Sequence, residues 1–157
     1  MTTATAFNVA DHICDTVPDM FDTMISARAV RTTDTTPIRA ERISGAIGLV
    51  GDSVTGTVYL HLPEQFARQA ARAMLAGTSG QNAGDSDMND VVGELTNIVS
   101  GVLKSALCDA GQFCAVSTPS VIRGVFSVEA APDLTVESFF FVCLGQRIAV
   151  EVHLKFY

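Results

Sequence analysis

The end of the chain constrains its fold most. From 147 to 156, Ile148, Val150, Val152, Leu154 and Phe156 alternate with Ala149, Glu151, His153 and Lys155. A period of two is the strand period, and it sends one set of side chains to each face of a sheet. One apolar face and one polar face predict an antiparallel sheet packed on one side and wet on the other. An apolar face needs a covering layer, so helices must come from elsewhere in the chain.

Strand signals dominate everything after Gly111. Residues 113–117, 121–128 and 136–144 are rich in β-branched and aromatic types, which suit a pleated, half-buried surface. Gly145 and Gln146 predict a type II′ turn into the last strand. Earlier, 43–50 and 56–62 read as paired strands, with Gly51, Asp52 and Ser53 in the turn between them. The polar, Thr-rich stretch 28–38 reads as an extended edge segment.

Three helices supply the second layer. Across 7–26, Val9, Ile13, Val17, Met20, Phe21, Met24 and Ile25 recur at three- and four-residue steps, with Pro18 predicting a kink or break. Pro63 suits a first helical position, ahead of a stripe of Phe66, Ala70, Ala71, Met74 and Leu75 that Gly77 would stop. Residues 77–87 read as a loop. A long helix follows over 88–110, capped by Ser86 or Asp87 and ended by Gly111. The order predicts an α+β fold: a single domain over 1–157 whose antiparallel sheet carries long helices on one face. A weak repeat supports duplication of a helix–hairpin unit. Residues 43–49 match 122–128 at an offset of 79, and 20–26 match 94–100 at an offset of 74.

At 157 residues the chain can bury a core unaided. Its net charge of −7 argues against a reader of nucleic-acid backbone, which needs a basic face. No run approaches the roughly 18 consecutive apolar residues of a membrane span. The first residues lack the basic and apolar regions of a secretion signal, so a cytoplasmic location is expected. Cys14, Cys108, Cys114 and Cys143 form no C-x-x-C pair, and His12, His61 and His153 are scattered. The expectation is four reduced, mostly buried thiols, with no metal site and no cofactor of the protein's own.

The helix at 88–110 carries the one pattern that points to chemistry. Val91, Leu95, Ile98, Val102 and Ala106 share a broad apolar face. Asp90, Glu94, Asn97 and Gly101 fall in a stripe roughly 60° wide, well away from it. An acid and an amide thus stand side by side, with Gly101 leaving room for a partner's backbone. A mid-helix glycine costs roughly 1 kcal/mol relative to alanine, so its presence needs a reason. Spacing alone favours a solvated face with an ordinary Glu and Asn, because E-x-x-N is a weak pattern.

The run DVVGELTNIVSGVLK at 90–104 resembles the signature helix of the CheC/CheX/FliY family of chemotaxis phosphatases. That signature is an acid or serine, a glutamate, an asparagine three positions beyond it, and a proline some two dozen residues on. Here Pro119 follows Asn97 by 22 positions. The resemblance covers nearly the whole chain, with 20–24 similar to the end of the CheX first helix and 45–75 to its hairpin and second helix. Met20 and Thr23 stand where an active first half would carry its Glu and Asn, which favours a CheX-like arrangement with the second half alone active. Val102 departs from the pattern, which more often has a polar residue there.

The resemblance implies hydrolysis of the aspartyl phosphate on a CheY-like receiver domain. Mg²⁺ and a lysine would come from the receiver, so the phosphatase need only place a water in line with phosphorus. A neutral amide suits that task, the role implied for Asn97. Glu94 would pair with the receiver lysine, and Asp90, Gly101 and Lys104 would line the contact. A homodimer is also implied. It is expected to pair the strand at 147–156 across a two-fold, because a long apolar edge recruits other chains; the competing explanation is a central place for this strand within the monomer's own sheet. The alternatives are a non-catalytic CheX-like receiver-binding or dimerisation module, and a hot-dog thioesterase-type fold in which the sheet wraps an all-apolar helix. The row Asp15, Asp19 and Asp22 reads as a solvated helix face, and Phe139, Phe140 and Phe141 as core and subunit interface.

Overall fold

Alternation and helical spacing resolve into ten elements in the computed structural model, which describes residues 7–75 and 84–157. They run α1 (Val9–Ile25), β1 (Val30–Arg31), β2 (Arg42–Val50), β3 (Val54–Pro63), α2 (Glu64–Met74), α3 (Asp85–Asp109), β4 (Ala115–Val116), β5 (Ser120–Gly124), β6 (Thr135–Cys143) and β7 (Gln146–Phe156). Much of the predicted loop at 77–87, with the helix stop at Gly77, lies outside the described residues.

All strands join one antiparallel sheet in the order β1-β6-β7-β3-β2-β4, with β5 beside β4 on the same edge of β2. The helices pack on one face, α1 against β6, α2 against β3 and α3 against β2, the α+β arrangement expected. Ile43, Leu60, Leu62, Phe141, Ile148 and Val150 point into this layer and are at most 1% exposed. The rings of Phe21 on α1 and Phe66 on α2 meet edge to face at 5.4 Å. Each such burial contributes roughly 1.5–3 kcal/mol.

The sheet order is symmetric about β7 and β3. Each half supplies a helix, a short edge strand and a hairpin, and the edge strands are exchanged. β1 pairs with β6 of the second half, and β5 pairs with β2 of the first. The duplication therefore sits one strand away from the register expected. Residues 43–49 lie within β2, whose counterpart is β6, whereas 122–128 starts in β5 and leaves the sheet after Gly124.

Several expectations are corrected. β7 is not an edge: β6 pairs along one side of it and β3 along the other. Its alternation marks a central strand whose backbone groups are satisfied within the chain, so the expected dimer contact through it does not form. Nor is its polar side wet, since His153 is 3% exposed and Ala149 4%. Segments 34–39 and 125–128 cross that face, held by Arg147 donating to the Asp34 and Thr36 carbonyls and by Arg42 donating to those of Ile38 and Phe126.

Helix α1 runs unbroken through Pro18. Fully buried Val17 and Phe21 hold both flanks, and their packing outweighs the missing backbone bond. Neither Ser86 nor Asp87 is the N-cap of α3. Gly84 is, and Asp87 accepts from the Gly84 N–H at 3.2 Å from inside the first turn. The last hairpin turns at Leu144 and Gly145, both with positive φ (51° and 72°), and Cys143 pairs with Gln146. That is a type I′ turn rather than II′. Phe139, Phe140 and Phe141 are all buried, with Phe140 on the far face beneath Arg147.

Candidate functional site

Helix α3 is fixed by small residues on two sides. A Cβ built on Gly45 of β2 would lie 1.9 Å from Thr96 Oγ1. Only glycine lets the helix approach the strand that closely. Thr96 is fully buried, and its hydroxyl donates to the Val92 carbonyl at 2.6 Å. On the flank, Gly93 packs against Pro119, whose Cγ would lie 3.4 Å from a Cβ at 93. The first turn is tied to β5, where Arg123 donates to the Asp85 carbonyl at 2.7 Å and to the Asn89 side chain.

The buried stripe of α3 runs through Met88, Val92, Leu95, Thr96, Val99, Leu103 and Leu107, all 0% exposed. It is rotated from the face read in the sequence. Ile98 and Ala106 are half-buried and Val102 is 39% exposed, because the sheet lies under Val92, Val99 and Leu103. At 100° per residue, Asp90, Glu94, Asn97 and Gly101 centre roughly 180° from the buried stripe.

Asp90, Glu94 and Asn97 are exposed there, while Gly101 and Lys104 are half-buried. No side-chain hydrogen bond or ion pair joins Asp90, Glu94 or Asn97 to another described residue, so their polar atoms face outward unengaged. Nothing lies within 4 Å of a Cβ built on Gly101, so the surface beside Asn97 is open to approach. The result is a neutral amide with Glu94 one turn before it, Asp90 a further turn back and Gly101 one turn beyond, on an exposed helix face. Such a face can orient a water or a partner's cation. It also departs from the hot-dog alternative, in which the helix would be apolar all round.

Other candidate groups take plain roles. Asp15, Asp19 and Asp22 are exposed along α1. The cysteines are free, with Cys143 buried and the others half-buried, and burial pushes the Cys14, Cys114 and Cys143 thiols up. Among the described residues, no three His, Cys, Asp or Glu side chains converge as metal ligands. Helix α3 is long and apolar enough to cross a membrane by composition, but half of that stretch is buried on the sheet, as in a core helix.

The far face of the sheet holds a polar group that the sequence reading did not assemble. His61 on β3 meets Ser44 Oγ through Nδ1 at 2.7 Å and Glu151 through Nε2 at 3.2 Å, and His153 Nε2 bonds the other Glu151 oxygen. Burial opposes ionisation of Glu151, but the hydrogen bonds and charge of the two histidines outweigh it and hold its pKa below the ordinary glutamate value. The polar parity of these positions was visible in the strands, but their juxtaposition depends on the β3–β7 register.

Three comparisons bear on identity. The family model described as chemotaxis phosphatase CheX matches residues 43–144, about two thirds of the chain. Comparison with curated proteins returns no match. Among solved structures, the chain is similar to chemotaxis protein CheX from Vibrio vulnificus, at 22% identity over 99% of this chain and 100% of that one, with a TM-score of 0.79. CheX from Desulfovibrio desulfuricans is 24% identical over 94% and 99%, with a TM-score of 0.76. The CheX of a CheX–CheY–BeF3–Mg complex from Borrelia burgdorferi is 15% identical over 95% and 99%, with a TM-score of 0.71. The structural likenesses establish the fold, and with the family model matched across most of it, this chain belongs to the CheX family of chemotaxis phosphatases.

Proposed function

We propose that the protein stimulates hydrolysis of the aspartyl phosphate on a CheY-like receiver domain, with Asn97 and Glu94 as the working pair. The observation that carries this reading is the exposed Glu94/Asn97 stripe, held by a fully buried face of α3 in a member of a phosphatase family. An acyl phosphate is already reactive, so the enzyme's task is to position one water in line with phosphorus. The Asn97 amide does this without bringing negative charge toward the phosphate. Glu94, one turn earlier, pairs with the receiver lysine and sets the docking register. Asp90, Gly101 and Lys104 complete the contact, with Gly101 admitting the partner's backbone. Mg²⁺ belongs to the receiver, and the phosphatase contributes no cofactor. A receiver-borne substrate places the protein in the cytoplasm.

The expected homodimer needs another edge, since β7 is paired on both sides. β6 offers one. Among the described residues, β1 covers it only at Phe141 and Val142, and Thr32 reaches Phe140, leaving 135–139 open. Antiparallel pairing of two β6 edges would make one continuous sheet.

The test is phosphate release from a phosphorylated receiver. Acceleration in proportion to added protein supports the phosphatase. Binding of the receiver without acceleration would assign the protein as a non-catalytic docking module instead.

A further inference from the structure

The sheet face opposite α3 carries a cavity of about 840 Å³, within the ~300–1,000 Å³ typical of small-molecule sites. Its floor is the polar face of the central strands, with His61 on β3, Ala149 and Glu151 on β7, and Phe140 on β6. Its walls are the two segments that cross this face, contributing Ile38 on one side and Phe126 on the other.

Arg42 joins the walls and is 6% exposed. Its guanidinium lies over the Phe126 ring, 4.1 Å from the centroid. One terminal nitrogen donates to the Ile38 carbonyl and the other to the Phe126 carbonyl. Both acceptors are neutral. Its Nε has no partner, and no carboxylate among the described residues comes within ion-pair distance. Burial accordingly lowers the Arg42 pKa, with Glu151 only partly offsetting it through space. Glu151 cannot supply the missing contact, because His61 and His153 engage its two oxygens. A buried cation without an anionic partner is costly, and this one lines an open cavity whose walls are apolar apart from Thr35, Arg39 and Ser127.

We propose that this cavity binds a small amphipathic carboxylate. The anion lies against Arg42, and the hydrocarbon part lies between Ile38, Phe126 and Phe140. Pockets with mostly apolar walls and a few convergent polar groups bind ligands of this kind. The site is on the opposite face from the Glu94/Asn97 stripe and does not depend on its function.

The experiment is an amide NMR titration of the whole protein with hexanoate and benzoate, beside their neutral amides, hexanamide and benzamide. Saturable shifts confined to 35–39, 125–128 and the neighbourhood of Ala149 are expected for the carboxylates, with at least tenfold weaker binding of the amides. Arg42→Gln should weaken the carboxylates at least tenfold. Arg42 also ties both walls, so Ala149→Leu, which fills the floor without touching either tie, provides the second variant and should abolish binding in a folded protein. No saturable shift at millimolar carboxylate would overturn the proposal. So would equal binding of the amides, or wild-type affinity in Ala149→Leu.

Discussion

Replacing Gly45 with alanine puts a methyl group where Thr96 Oγ1 already lies, 1.9 Å away, with Thr96 Cβ at 2.9 Å and Cγ2 at 3.2 Å. Neither partner can retreat cheaply. β2 is paired on both sides at this point, to Leu60 and to Val121. Lifting α3 would open the contacts of Leu95, Val99 and Leu103. The first response is rotation of Thr96, which gives up its hydrogen bond to Val92, worth about 1 kcal/mol. The remaining overlap is overpacking in a closed core, typically ~1–3 kcal/mol. Together these predict a loss of about 2–4 kcal/mol, or roughly 5–15 °C in Tm for a chain of this length. Thr96→Ala removes Oγ1 and Cγ2 but leaves the 2.9 Å contact to Cβ. In the double variant the two losses should therefore fall short of additive, with partial recovery relative to Gly45→Ala. Thermal unfolding of the four proteins by circular dichroism measures both quantities. Wild-type stability of Gly45→Ala would refute the close approach of α3 to β2, and strict additivity would show that Thr96 is not the obstacle.

Glu94→Lys should raise the receiver concentration needed for half-maximal phosphate release, more steeply at low ionic strength, where screening is weakest; equal half-saturation across salt would remove Glu94 from docking. Glu151 contributes stability that is complete above the ordinary glutamate range and is lost as pH falls through its lowered folded-state pKa. The Tm gap between wild type and Glu151→Gln should thus be wide near about pH 7 and shrink near about pH 3. A gap independent of pH would contradict the clamp by His61 and His153. Even-numbered residues of β6 direct their backbone groups to its open side, as Phe140 does in accepting from Thr32, so Val136→Pro removes an edge donor and keeps the β6–β7 ladder. Sedimentation equilibrium should give a dimer for wild type and a folded monomer for the variant, and a variant that stays dimeric would place the interface elsewhere.

What was legible in the sequence follows from what periodicity encodes. The alternation of Ile148 to Phe156 marked a strand, and the spacing of Val9 to Ile25 a helix that even Pro18 does not break. The stripe of Asp90, Glu94 and Asn97 was visible because α3 is long and each face is chemically uniform. Pairing is a different matter. Alternation says which way side chains point and not which strands lie beside β7, so an internal strand was read as an edge. The face read as wet is buried because loops at 34–39 and 125–128 fold across it, and loop paths leave no period to read. The far-face group of Ser44, His61, Glu151 and His153 comes from three strands up to 109 positions apart, and only the register joins them. The turn at Leu144 escaped because leucine seldom adopts the positive φ found there.

The most direct test of the account is the rate of phosphate release from a phosphorylated receiver with wild type and with Asn97→Ala at equal concentration. Asn97 is exposed, so the variant should keep the wild-type Tm within about 2 °C, as surface changes do. Stimulated release should fall to the receiver's own rate. A folded Asn97→Ala protein that accelerates release as wild type does would contradict the assignment of the reaction to the exposed stripe of α3.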